Sequence, residues 1–189
     1  SGGGVIHSES SHELTALAKK LNIPVTNTLM GIGTFPADDH LALGMLGMHG
    51  NYWANYAVTH CDVLFAVGTR FNDRITGCLK RFAKDAKVIH VDIDPCSISK
   101  NVPVDIPIVG DAKNVIREML DHLEKKHYEL HIQEKQEWFN LIDEWKQRRT
   151  MPVVQTEKIS PQTVIERIYE VTKSYDPIIC TEVGQHQMW

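Results

Sequence analysis

The sequence predicts an α/β fold, a parallel sheet flanked by helices. Three observations carry that expectation. Strand-like run, glycine turn and helical stripe follow one another repeatedly, the alternation that builds parallel sheets with helices on both faces. The run Val63–Val67 is short, apolar and rich in β-branched and aromatic residues, and it stops abruptly at Gly68, as a buried strand entering a turn does. Several strand ends carry glycines, arginines or acids, and in open α/β sheets ligands sit beyond the carboxyl ends of the strands.

Composition sets the bounds. A chain of 189 residues has room for one good core and a small appendage. Hydrophobic content of 42% and charged content of 23% are those of an ordinary soluble domain. A net charge of -4 with scattered Lys and Arg argues against nucleic acid as a partner. The longest apolar run is too short for a membrane span, and the first residues do not form a signal peptide. Cys61, Cys78, Cys96 and Cys180 form no C-x-x-C pair, so reduced thiols in the cytoplasm are expected. Both ends look cut, because the chain opens on Ser1-Gly2-Gly3-Gly4 and closes on Val183-Gly184-Gln185-His186-Gln187-Met188-Trp189, stretches that read as ligand loops.

Taken in order, the triglycine reads as a phosphate-loop-like turn, or equally as a flexible linker. Ser10 and Glu13 form a capping-box pattern, and Leu14, Leu17, Ala18 and Leu21 continue at helical spacing. Ile23–Leu29 reads as a strand with Pro24 near its start. It leads into Gly31-Ile32-Gly33, which is no dinucleotide fingerprint, since Pro36 stands where the third glycine belongs. Gly44, Gly47 and Gly50 recur at every third position, consistent with close approach to a flat ligand or with packing on a neighbouring helix. Asn51–His60 is a helix with Trp53, Ala54, Ala57 and Val58 on one face.

Arg70 and Arg74 follow the central strand at once, with Asp73 between them. Guanidinium forks suit phosphate oxygens, so the turn reads either as an anion site or as a surface cluster of arginines paired with Asp73 and its neighbours. Cys78–Phe82 reads as a short helical link and Lys87–Val91 as the next strand, ending in Asp92-Ile93-Asp94-Pro95. Asp92 follows Gly68 by 24 residues (92 − 68), near the ~20 usual for an acid that holds a ribose hydroxyl. Asp94 alternatively caps the turn that Pro95 begins. Ile106–Val109 is a fourth strand, ending in Gly110-Asp111. Asp111 is a good N-cap for a helix whose stripe is Ala112, Val115, Ile116, Met119, Leu120 and Leu123.

From Lys125 to Val154 the chain turns charged and amphipathic, with Trp138, Leu141, Ile142 and Trp145 on one helical face. His127 and His131 stand four apart, but no third metal ligand is near, and a solvated helix face is the preferred reading. Met151–Lys158 reads as a linker. Ser160 then caps a helix that Pro161 begins, with Val164, Ile165, Ile168 and Tyr169 facing inward, and Ile178–Thr181 reads as a strand. No G-x-S-x-G, H-E-x-x-H or G-x-x-x-x-G-K-[ST] occurs, and the adjacent His60 and Cys61 would point opposite ways in a strand. The chain reads as a binding scaffold rather than a complete catalytic site.

In this order the motifs Gly2-Gly3-Gly4, Thr28-Leu29-Met30-Gly31, Leu46-Gly47-Met48-His49-Gly50, Gly68-Thr69-Arg70-Phe71-Asn72-Asp73-Arg74, Val91-Asp92-Ile93-Asp94, Gly110-Asp111 and Gly184-Gln185-His186-Gln187-Met188-Trp189 span nearly the whole chain. Together they resemble the thiamine-diphosphate-dependent enzymes, and among them the catalytic subunits of the acetolactate synthase (acetohydroxyacid synthase) family. The resemblance implies a Rossmann-like central FAD-binding domain over 1–150, a linker over 151–159 and the truncated start of a C-terminal thiamine-diphosphate-binding domain over 160–189. It implies a homo-oligomer, dimer or tetramer, that condenses two 2-oxo acids with loss of CO2, using thiamine diphosphate and Mg2+. The products would be acetolactate toward valine and leucine and acetohydroxybutyrate toward isoleucine. A small regulatory subunit is left open.

By the same resemblance FAD, without a net redox role, would be held by Gly2, Gly3, Gly4, Thr28, Leu29, Met30, Gly47, Met48, His49, Gly68, Arg70, Arg74, Ile75, Asp92, Ile93 and Asp111. Gly184, Gln185 and His186 would approach thiamine diphosphate. The activating glutamate and the Mg2+ ligands would belong to other parts of the enzyme, so this segment alone is expected to be inactive. Asn72 departs from the aspartate usual in the family, which puts any charge-based role there in doubt. A related domain binding ADP or NAD, or a scaffold with no ligand, is the other reading.

Overall fold

The computed structural model describes residues 1–126, 132–148 and 159–188. They form two compact units, Ser1–Arg148 and Arg149–Trp189. His127, His131 and the expected linker Met151–Lys158 lie outside the described residues.

The first unit is an α/β fold with parallel sheets between helices. Strands β1 (Val25–Asn27) and β2 (Ala42–Met45) pair in parallel. Strands β3 (Val63–Val67), β4 (Lys87–Asp92) and β5 (Ile106–Val109) form a parallel sheet in the order β3-β4-β5, with Val67 opposite Val91 and Asp92 opposite Val109. Helices α1 (Gly3–His7), α2 (Ser11–Leu21) and α5 (Ala112–Lys125) cover one face. There Phe65, Val67 and Val91 meet Val5, Leu14, Leu17 and Ile116. The alternate residues Leu64 and Ala66 point the other way, as the period of a strand requires. That side holds Phe71, Val88 and Val102, with α3 (Tyr52–His60) and α6 (Ile132–Arg148) beyond. Trp145 and Ile142 of α6 are buried against Ala54, Ala57 and Val58 of α3, and Trp138 meets Trp145 edge to face. Leu141, expected on that face, is exposed instead.

Several expectations are corrected. The triglycine is not a flexible linker, because Gly3 begins α1 and Gly2 and Gly4 are hydrogen-bonded to the backbone of β3 and its turn. Ser10 does not cap α2. Its hydroxyl is buried against Ser8 Oγ and the Val5 carbonyl, while Glu13 pairs with Arg117 at 2.8 Å. The strand expected over Ile23–Leu29 is confined to Val25–Asn27, because Ile23 N still bonds the Ala18 carbonyl at the end of α2 and Leu29–Gly31 forms a 3-10 turn. β2 falls where glycine spacing suggested only a loop. Cys78–Phe82 is a run of turns, and the short helix is α4 (Asp73–Thr76) just before it.

Cys61 closes α3. Burial and the neighbouring Asp62 push its thiol up to about 11, and its Sγ–H donates to the Val58 carbonyl at 3.3 Å. The thiolate is the reactive form. At pH 8, maleimide labelling followed by peptide mass mapping is therefore expected to modify exposed Cys78 and Cys96 well before Cys61. Equal rates at all three would contradict this burial.

In the second unit, α7 (Pro161–Thr172) is capped by Ser160 Oγ, which accepts from Thr163 N at 3.2 Å. Val164, Ile168 and Tyr169, expected inward, are exposed, and Ile165 is half-buried. An apolar stripe is buried only where a second layer packs on it, and the described residues of this unit supply none. Ile178–Thr181 is likewise not a strand, since no ladder partner is present among the described residues.

Candidate nucleotide-binding site

The site is assembled by backbone contacts at the carboxyl ends of the strands. Ser1 lies hydrogen-bonded beside β1, its terminal N donating to the Thr26 carbonyl at 2.7 Å and its own carbonyl accepting from Thr28 N at 2.9 Å. On its other side Gly2 N donates to the Val67 carbonyl at 3.0 Å and Gly4 N to the Gly68 carbonyl at 3.0 Å. The first residues therefore tie the end of β1 to the end of β3. Glycine is required here by proximity. A Cβ on Gly2 would lie 2.3 Å from the Gly68 oxygen, and one on Gly4 2.6 Å from the Gly68 Cα. Gly3 faces Met30, with its Cβ position 3.2 Å from the Met30 Cβ.

Gly68 has φ +58, the left-handed conformation that glycine adopts without penalty. Its N–H donates to the Val91 carbonyl at 2.8 Å, which places the turn beside the end of β4. Arg70 is exposed between buried Thr69 and Phe71. Arg74 reaches Asp73 at 3.5 Å, both exposed, a pair of small energetic worth. Arg70 makes no ion pair or hydrogen bond among the described residues, so the surface-cluster reading holds for Arg74 only. Asn72 caps α4, its Oδ1 accepting from Ile75 N at 3.3 Å. Asparagine and aspartate serve equally well as N-caps, so this job needs no charge at 72.

The loop after β2 joins the same edge. Gly47, at φ +95, packs so closely that a Cβ would lie 2.4 Å from the Arg74 oxygen, and Met48 N donates to that oxygen at 2.8 Å. Ile75 is half-buried against the α3–α6 core. Met48 and His49 are exposed. At the end of β4, Asp92 Oδ1 accepts from Asp94 N at 2.9 Å, and Gly110 N donates to the Asp92 carbonyl at 3.0 Å. Asp94 caps the turn Pro95–Ser97, with Oδ1 accepting from Cys96 N at 2.9 Å. Asp111 caps α5 through Asn114 N at 3.1 Å.

The structure thus brings the triglycine, Thr28–Met30, Gly47–His49, Gly68–Ile75, Asp92, Ile93 and Asp111 along one continuous edge. Met30, Met48 and Ile93 stand 71%, 63% and 72% exposed along it. Exposed apolar side chains beside an unpaired arginine fit a ligand with a flat apolar ring and an anionic linkage. Among the described residues no group of three His, Cys, Asp or Glu is placed to hold a metal ion.

Two residues that hold this edge were not singled out from the sequence. Asn55 on α3 clamps the Gly47 peptide at both ends, accepting from its N at 2.8 Å and donating to its O at 3.0 Å. Asn27 on β1 donates to the Gly31 carbonyl at 2.8 Å and holds the 3-10 turn. The only sequence signal was an asparagine set within an apolar pattern, which does not say what it holds.

Residues 1–119 match the family described as thiamine pyrophosphate enzyme, central domain. The chain belongs to this family. Over its full length it is 51% identical to the probable acetolactate synthase large subunit of Methanocaldococcus jannaschii. It is 47% identical to the acetolactate synthase large subunit of Buchnera aphidicola subsp. Schizaphis graminum. It is 46% identical to the acetolactate synthase isozyme 3 large subunit of Escherichia coli strain K12. The chain spans about a third of the length of these relatives, 32%, 32% and 33% respectively. The family match spans the edge described above, from Gly2 to Asp111. Gly184, Gln185 and His186 lie in the second unit, where a 3-10 turn spans Gln185–Met188 and a Cβ on Gly184 would meet the His186 ring at 2.7 Å. No helix among the described residues is long and apolar enough to cross a membrane.

Proposed function

We propose that this chain is the flavin-holding central part of an acetolactate synthase large subunit, with the start of a thiamine-diphosphate-binding domain over 160–189. The observation that carries the reading is that the segments tied together by backbone bonds carry close-packed glycines, Arg70 with no ion pair among the described residues, and exposed Met30, Met48 and Ile93. The glycines let the segments that carry the edge pack backbone on backbone. A guanidinium matches a diphosphate bidentately, and the apolar side chains offer contact area for a flat ring. The relatives' names support the activity: the whole enzyme would condense two pyruvates, or pyruvate and 2-oxobutyrate, with loss of CO2. Thiamine diphosphate with Mg2+ would supply the carbanion chemistry of that condensation. The residues of this chain would do other work. Gly2, Gly4 and Gly68 pack backbone on backbone and so set the position of the arginine turn, Arg70 neutralises the diphosphate, and Asp92, whose Oδ2 is not used by its own turn, offers an acceptor to a ribose hydroxyl. Exposed Cys78, Cys96 and Cys180 are free thiols and fit a reducing cytoplasm. A homo-oligomer is expected, as is an active site completed outside this segment.

Glycines and an arginine would equally suit ADP; the three exposed apolar side chains favour the longer flavin. The test is titration of the full-length protein with FAD, followed by flavin fluorescence, with ADP as competitor. Saturable FAD binding together with acetolactate formation from pyruvate supports the proposal. Binding of ADP alone would replace it with the other nucleotide.

A further inference from the structure

We propose that His90 is a positioning residue that braces the backbone on which Arg70 is presented. The inference rests on the diphosphate reading of that turn. His90 sits in β4 opposite Ala66 of β3 and is fully buried. Its Nε2 lies 2.8 Å from the Thr69 carbonyl oxygen. A carbonyl only accepts, so Nε2 carries a proton and donates it. Nδ1 has no hydrogen-bond partner among the described residues, and neither has buried Thr69 Oγ1. Asp92 Oδ2, at 3.9 Å from Nε2, is beyond hydrogen-bond reach.

An unpaired buried polar atom destabilises a core. Valines at 88 and 91 fill the same strand without that penalty. What a valine at 90 would not supply is a donor to the Thr69 carbonyl, one bond before Arg70. The rest of the turn is held in the same manner. Gly68 N is bonded to the Val91 carbonyl, and Asn101 Nδ2 donates to the Phe71 carbonyl at 2.9 Å. The Phe71 ring stands edge-on to His90 at 4.9 Å. Phe71 has φ +49, a left-handed path that a non-glycine residue keeps only when its surroundings hold it. The braces flank Arg70 on both sides and leave its side chain alone exposed. Fixing the base of a flexible cationic side chain reduces what ligand binding must order.

The test compares His90→Phe, which keeps a ring against Phe71 but has no donor, with His90→Gln, whose amide reaches toward the position of Nε2. In the full-length protein, dissociation constants are measured for FAD and for riboflavin, which lacks the diphosphate. Amide hydrogen exchange at Gly68, whose N–H is bonded to the Val91 carbonyl, is followed without ligand. His90→Phe is expected to weaken FAD about three- to tenfold, the worth of one hydrogen bond, and to leave riboflavin unchanged. Exchange at Gly68 should quicken about tenfold while α2 and α5 keep their protection, and His90→Gln should restore both readouts. Equal weakening of FAD and riboflavin, or unchanged exchange in the turn, would overturn the proposal. If wild-type protein binds no FAD, the flavin reading fails alone and exchange in the turn decides the brace. Should His90→Phe not fold, His90→Asn, too short to reach Thr69, takes its place.

Discussion

Gly68→Ala is expected to destabilise the first unit by about 2–5 kcal/mol, the sum of a left-handed backbone penalty and an overpacking term. Both causes are visible. The residue has φ +58, and its Cβ would lie 2.6 Å from the Gly4 Cα and 2.9 Å from the Gly4 carbonyl carbon. Neither atom belongs to a flexible side chain. The α1 backbone would have to move, and α1 is bound to β3 through Gly2 and Gly4. Gly4→Ala separates the two causes. Gly4 lies in a helix at ordinary φ, where alanine by itself would be favoured by about 1 kcal/mol. Its Cβ would nevertheless meet the Gly68 Cα at 2.6 Å. Urea denaturation should therefore show Gly4→Ala destabilising, and Gly68→Ala more so. A stabilising Gly4→Ala would mean that the α1–β3 approach is looser than described.

Arg70→Ala is expected to do the reverse, leaving stability intact and removing binding. The side chain is exposed and unpaired among the described residues, so the melting free energy should stay within about 0.5 kcal/mol of wild type. A charged hydrogen-bonding partner lost from a diphosphate costs about 1.5–3 kcal/mol, or roughly 10- to 150-fold in FAD affinity. Arg70→Lys should recover only part of this, since an ammonium keeps the charge but not the planar fork. Arg74→Ala should cost less, because that guanidinium is already shared with Asp73. Flavin titration at fixed ionic strength measures all three. Full FAD affinity in Arg70→Ala would remove the arginine turn from the site.

Much was legible in the sequence because it is written in local periodicity. Val63–Val67, Lys87–Val91 and Ile106–Val109 are strands where the apolar runs placed them, and α2, α3, α5 and α6 follow their helical stripes. Asp111 and Ser160 cap the helices they precede. The alternation of strand, glycine and helix determined a parallel α/β unit, since that pattern has few other ways to bury its apolar faces.

What the sequence left open was decided by contacts between segments far apart in the chain. Triglycine admits an ordered turn or a flexible linker, and the Gly68 backbone lying against Gly2 and Gly4 rules out the linker. Ser10 has a local capping pattern, yet its hydroxyl goes to Ser8 and Val5 because burial there demands a partner. The choice between Arg70 and Arg74 as the free cation, the clamp of Asn55 on Gly47 and the reach of His90 to Thr69 have no local signature. Hydrogen bonds and steric exclusion between distant backbones act only once the chain has folded, and no periodicity records them.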